Sequence, residues 1–112
     1  MILSNARLIF PAGIRDGLEL VIAEGKISEI REQAKVATDG RIDLHGNFLA
    51  PGFVDLHLHG AVGRDTMEAS EEAFRAICDF HASGGTTSLL LTTVTAQLAE
   101  IVAVLKAVEG LG

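Results

Sequence analysis

Residues 51–60 read PGFVDLHLHG, an apolar run opened by Pro51-Gly52, closed by Gly60 and interrupted by two histidines two positions apart. Its length and composition are those of a β-strand bounded by turn residues. Alternate side chains of a strand share a face. Asp55, His57 and His59 therefore point one way, and Val54, Leu56 and Leu58 the other. The apolar set is expected to pack under a covering helix. The histidines need another explanation, because imidazole is an uncommon filling for a buried strand. Their Cα atoms stand roughly 6.6 Å apart, twice the parallel-strand rise. Two rings leaning together across that gap can meet at one ion, with metal–nitrogen bonds of about 2.0–2.1 Å. A bare His-x-His is more often hydrogen-bonded and nothing more. Here the flanks narrow the field: Pro-Gly before the strand, an acid two residues before His57, and glycine after His59.

Downstream, Ser70 is placed to cap a helix, with Glu71 and Glu72 favourable to its dipole. Phe74, Ile77, Cys78 and His81 fall at i, i+3, i+4 and i+7, an apolar stripe with a polar end, and Gly84-Gly85 stops the helix. The near-continuous apolar run TTSLLLTTVT (86–95) suits a strand covered on both faces, as in parallel sheets. A second helix is expected to bury Leu98, Ile101, Val102, Leu105 and Val108, and to end at Gly110. Strand, helix, strand, helix from residue 51 is the opening of an α/β fold with right-handed crossovers. In α/β barrels the active site lies at the C-terminal ends of the strands, which is where His57 and His59 stand.

Residues 1–50 have another character. LELVI and KISEI predict a hairpin across Ala23-Glu24-Gly25, ARLIF is a further strand ended by Pro11-Ala12-Gly13, and RIDLHGNFLA reads as a strand pair around Gly46-Asn47. This small β-rich region, 1–50, has too little apolar mass for an independent core.

The chain has 112 residues, 48% hydrophobic and 21% charged, with a mean hydropathy of +0.35. That composition is globular rather than disordered. A net charge of −6 and a pI near 5.0 disfavour nucleic acid and anionic membrane surfaces as partners. No apolar run is long enough to span a bilayer, and the N-terminus lacks the pattern of a signal peptide. Cys78, the single cysteine, has no intramolecular disulfide partner. A reducing cytoplasm is the expected compartment.

PGFVDLHLHG resembles the first barrel strand of the metal-dependent amidohydrolase superfamily, and IDLHGNFLAPG (42–52) resembles the approach to it. HGAVGRDTMEAS (59–70) and GGTTSLLLTTVTA (84–96) resemble one family within it, the N-acetylglucosamine-6-phosphate deacetylases. The resemblance implies an α/β fold in which a small β-sandwich-like region precedes the first two strand–helix units, 51–112, of a (β/α)8 TIM barrel. It implies that His57 and His59 are ligands of a divalent metal, zinc first and iron, nickel or cobalt otherwise. It further implies hydrolysis of the acetamide of a sugar phosphate, giving glucosamine 6-phosphate and acetate, by a homo-oligomeric enzyme.

A complete barrel typically needs about 250 residues. The family's further ligands, a glutamate and later histidines, and its catalytic aspartate follow strands that this sequence does not contain. No residue here is assigned a catalytic role, and the 112 residues alone are expected to be an inactive N-terminal portion that does not persist as a monomer. The other readings are a dihydroorotase-like or dipeptidase-like amidohydrolase, or a non-catalytic assembly module. Asp55 reads as a structural hydrogen-bonding residue, His45 as a loop histidine, and His81 and Cys78 as structural. Thr92 and Thr93 end the second strand and could face the site. Arg64 could attract a phosphate, but reads better as a solvated loop charge.

Overall fold

In the structure, a computed structural model describing residues 1–35 and 40–111, the chain divides into two units, Met1–Pro51 and Gly52–Gly112. The first is built from β1 (Ile2–Ser4), β2 (Arg7–Phe10), β3 (Gly13–Arg15), β4 (Leu18–Ala23), β5 (Lys26–Glu32), β6 (Arg41–Asp43) and β7 (Phe48–Leu49). They form a four-stranded sheet ordered β5-β4-β1-β6 and a three-stranded sheet ordered β3-β2-β7. The expected β4–β5 hairpin is present and antiparallel. Its turn, Glu24-Gly25, takes φ values of 51° and 71°, the left-handed pair that matches strand twist in a two-residue hairpin. Leu8, Leu18, Leu20 and Ala6 form the buried centre, with Leu3, Phe10, Ile22, Leu44 and Leu49 packed against it.

The pairing expected within RIDLHGNFLA does not occur. β6 runs parallel to β1, with Leu3 opposite Ile42, and β7 runs parallel to β2, with Leu8 opposite Leu49. Each segment is two or three residues long, so its partner is set by the strand already in place rather than by local alternation. The intervening turn, with His45 and Gly46 at φ 52° and 77°, carries the chain from one sheet to the other.

The second unit runs β8 (Phe53–Leu58), β9 (Gly60–Ala61), β10 (Arg64–Asp65), a 3₁₀ turn (Thr66–Glu68), α1 (Glu71–Ser83), β11 (Thr86–Leu91) and α2 (Leu98–Glu109). β8 and β11 pair in parallel, with Leu89 opposite Asp55 and Leu91 opposite Leu58. Taken whole, the molecule is a strand-rich mixed α/β protein with two α-helices among the described residues. Neither helix is long and apolar enough to cross a membrane.

α1 starts where expected. Ser70 Oγ accepts the Ala73 N–H at 3.3 Å, and Phe74 and Ile77 are fully buried. The helix packs on β9, β10 and β11. It does not lie along the open side of β8, so of the apolar set only Leu58 is buried. Val54 and Leu56 are 63% and 67% exposed. The expected buried face of α2 also needs correction. Val104 is its buried residue, whereas Leu98 and Leu105 are 76% and 59% exposed. LAEIVAVLKAVE is apolar around most of its circumference, so periodicity alone cannot choose the face. Packing against the 3₁₀ turn and α1 makes that choice.

Candidate metal centre

His57 lies at the penultimate position of β8, and His59 just beyond the strand end. Two glycines shape the approach. A Cβ on Gly52 would fall on the Thr87 side chain of β11, and a Cβ on Gly60 would fall on the Arg64 carbonyl oxygen. Gly60 opens a tight hairpin in which β9 and β10 pair antiparallel, with Asp65 opposite Gly60. The Thr66 N–H then donates back to the His59 carbonyl at 2.7 Å. Glycine after the second histidine is thus a packing requirement, because the backbone of the returning strand occupies the side-chain space.

The hairpin is fastened by ions. Arg64 Nη2 is 2.9 Å from Glu68 Oε2, and Nη1 is 2.9 Å from Glu72 Oε1. Asp65 caps the 3₁₀ turn by accepting the Met67 N–H at 2.7 Å. The Asp65 N–H donates to Glu68 and, with the Arg64 guanidinium, holds that carboxyl below the ordinary glutamate range. Arg64 is accordingly committed to two carboxylates. It is a part-exposed charge at the start of β10, paired with carboxylates rather than left loose.

The two imidazoles come together. His57 Nε2 and His59 Nε2 are 3.0 Å apart, with the rings edge to face at 85° and centroids 4.8 Å apart. His59 Nδ1 lies 3.1 Å from the carbonyl oxygen of Thr92. A carbonyl only accepts, so His59 Nδ1 carries a hydrogen, and in the neutral ring Nε2 keeps its lone pair. Two nitrogens bound to one ion at about 2.0–2.1 Å, at an angle between square and tetrahedral, stand about 2.8–3.4 Å apart. The observed separation falls inside that interval, and imidazole nitrogen suits zinc, iron, nickel and cobalt alike. The donor pair therefore fits a divalent transition metal. Among the described residues no third His, Cys, Asp or Glu joins it in a metal-binding group.

The remaining candidates sort by contact. Asp55 Oδ1 accepts the His57 backbone N–H at 3.1 Å, a local bond along its own strand. His45 is an exposed turn residue beside Asp43, and His81 stacks edge to face on Phe80. Thr92 does face the site, but through its main-chain carbonyl, which no pattern of side chains reveals. Among the described residues, no hydrogen bond brings Thr93 to the pair.

Residues 48–112 match the amidohydrolase family. An N-acetylglucosamine-6-phosphate deacetylase of Lysinibacillus sphaericus is 33% identical over 85% of this chain and 24% of its own length. A dihydroorotase of Anaeromyxobacter dehalogenans is 34% identical over 70% of the chain and 21% of its own length. Among solved structures, N-acetylglucosamine-6-phosphate deacetylase from Pasteurella multocida superimposes with a TM-score of 0.88 at 30% identity, covering 97% of this chain and 29% of that one. The chain thus spans about a quarter of the length of these relatives.

Proposed function

The chain belongs to the amidohydrolase family, and on that premise we propose that it forms the opening part of a metal-dependent deacetylase acting on an N-acetylated amino-sugar 6-phosphate. β8 and β11 with their helices would be the first two strand–helix units of a (β/α)8 barrel, and residues 1–50 the β-rich region before it. The observation that carries the reading is the convergence of His57 Nε2 and His59 Nε2 at the C-terminal end of β8, in a chain whose fold follows a deacetylase over nearly its whole length. The solved structure that the fold follows is a deacetylase, which favours that reading over a dihydroorotase.

His57 and His59 would hold the cation, zinc first among the candidates. When bound, a divalent cation supplies Lewis acidity toward the acetamide carbonyl and makes a coordinated water acidic at neutral pH. The pair's part is positional. Two neutral imidazoles contribute no charge, so they anchor the ion without quenching its electrophilicity. The β9–β10 hairpin, folded back on His59 and fastened through Arg64, restrains the backbone that carries the second ligand. A sugar phosphate is too polar to cross a membrane unaided, which favours the cytoplasm as the compartment of the proposed reaction.

Acetate release by the full-length protein tests the proposal. N-acetylglucosamine 6-phosphate should be hydrolysed much faster than N-acetylglucosamine, because the phosphate provides remote binding energy for positioning the amide. Equal rates on the two sugars, or turnover of dihydroorotate in place of either, would overturn it.

A further inference from the structure

We propose that Thr92 is the positioning residue for His59, fixing both its tautomer and its direction before any cation arrives. This rests on the reading of His57 and His59 as metal ligands. Thr92 follows β11 and is tied to its surroundings at every polar atom. Its N–H donates to the Leu58 carbonyl at 2.8 Å, and its hydroxyl accepts the Leu58 N–H at 3.2 Å. The same hydroxyl donates to the Leu90 carbonyl at 3.1 Å. The carbonyl left over accepts from His59 Nδ1 at 3.1 Å. The side chain thus immobilises the peptide unit whose oxygen aims the imidazole.

Neutral imidazole carries one N–H. With that hydrogen on Nδ1, His59 presents Nε2 as a bare lone pair, which is the form a ligand needs. The 3.0 Å contact with His57 Nε2 then requires His57, in the metal-free protein, to carry its hydrogen on Nε2 and donate it. His59 is preset and His57 is not. For both to ligate through Nε2, the His57 hydrogen must leave Nε2 while Nδ1 gains one from solvent, with no change in net charge. His57 is exposed, so water can carry out that exchange.

Long-range proton–nitrogen NMR on the full-length protein with ¹⁵N-labelled histidine reads this directly, with zinc as the probe. The metal-free protein should show His59 as the Nδ1–H form and His57 as the Nε2–H form; added zinc should convert His57 to Nδ1–H and leave His59 unchanged. Thr92→Val removes the hydroxyl at nearly constant volume. It leaves the carbonyl in place but loosens its hold, so His59 should average between tautomers and zinc binding should weaken about 10-fold, the lower end of the usual cost of disturbing a ligand's partner, whereas Thr92→Ser should stay near wild type. A wild-type His59 with its hydrogen on Nε2 would overturn the proposal, as would a folded Val variant with wild-type tautomer and affinity. If the Val variant does not fold, the wild-type assignment still decides. Undiminished zinc binding in both His57→Ala and His59→Ala would instead remove the ligand reading, leaving the tautomer of metal-free His59 as a separate result.

Discussion

The carbonyl oxygen of Arg64 occupies the space above Gly60 in which any other residue would carry its Cβ. Because the obstacle is backbone and not the free end of a side chain, it cannot move aside without opening the β9–β10 hairpin. Gly60→Ala should therefore cost about 1–3 kcal/mol, in the range of overpacking a tight site. Gly52→Ala, which meets the Thr87 side chain down to its Cβ, should cost a similar amount. Denaturant unfolding of the two variants measures both, and a negligible loss in Gly60→Ala would show that the hairpin yields easily.

Removing either imidazole should remove the proposed cation. In the full-length protein, His57→Ala or His59→Ala should weaken metal binding by at least about 100-fold, beyond the usual loss for an outer partner, and activity should fall in parallel. Elemental analysis after dialysis is the measurement. Unchanged stoichiometry in both variants would leave the pair as a hydrogen-bonded ornament of the strand.

Acid should act on the first unit through Glu19. This carboxylate is fully buried, 2.8 Å from Arg31 Nε and 2.7 Å from Arg41 Nη2. The Arg31 hydrogen bond does most to hold its pKa below the ordinary 4.5, with the Ala34 N–H and the Arg41 charge adding to it, while burial works in the opposite direction. A depressed folded-state pKa means that the unfolded chain takes up the proton first. The stabilisation is complete above pH 4.5 and is lost as pH falls through the lower, folded value. Glu19→Gln should be less stable at neutral pH and should show a shallower loss of stability in acid. Some slope should persist, since Asp43 and Glu68 are also held low, each chiefly by a backbone N–H. Superimposable stability–pH curves for variant and wild type would contradict this account.

A polypeptide of residues 1–112 should self-associate. Among the described residues β8 and β11 make a two-stranded sheet, so each presents an unpaired edge, and Phe53, Val54, Leu56 and Leu90 of these strands are exposed. Unpaired strand edges beside apolar side chains are templates for pairing with another chain. Light scattering should give masses above 11.8 kDa. A monomer with cooperative unfolding would argue that these strands are self-sufficient.

Much of this was legible in the sequence where the information is local. The β4–β5 hairpin announces itself through Glu24-Gly25, and the start of α1 through Ser70. His57 and His59 share a face because a strand has a period of two, and their rings do meet. What escaped notice depends on distant partners. β6 and β7 look like a hairpin because they adjoin in sequence, yet each pairs with a strand some forty residues earlier. The buried face of α2 is decided by what packs on it, since its own circumference is nearly uniform. Arg64 reads as a loose charge until Glu72, eight residues on, is brought beside it. Thr92 acts through an atom that every residue possesses, so no choice of side chain could advertise it.

The bonds at Thr92 also make the histidine pair a reporter of strand register. One residue closes the β8–β11 ladder at Leu58 through its N–H and aims His59 through its carbonyl. A slip of β11 by one residue would present the opposite side of the strand and abolish both functions together. Any ion held by the pair then has affinity for the correctly registered sheet alone. By mass action, an ion at 100 times its dissociation constant favours that register over all others by about 2.7 kcal/mol. Occupancy would thus act as a selector among alternative pairings of a short, bulged two-stranded sheet, rewarding the one alignment in which it can bind.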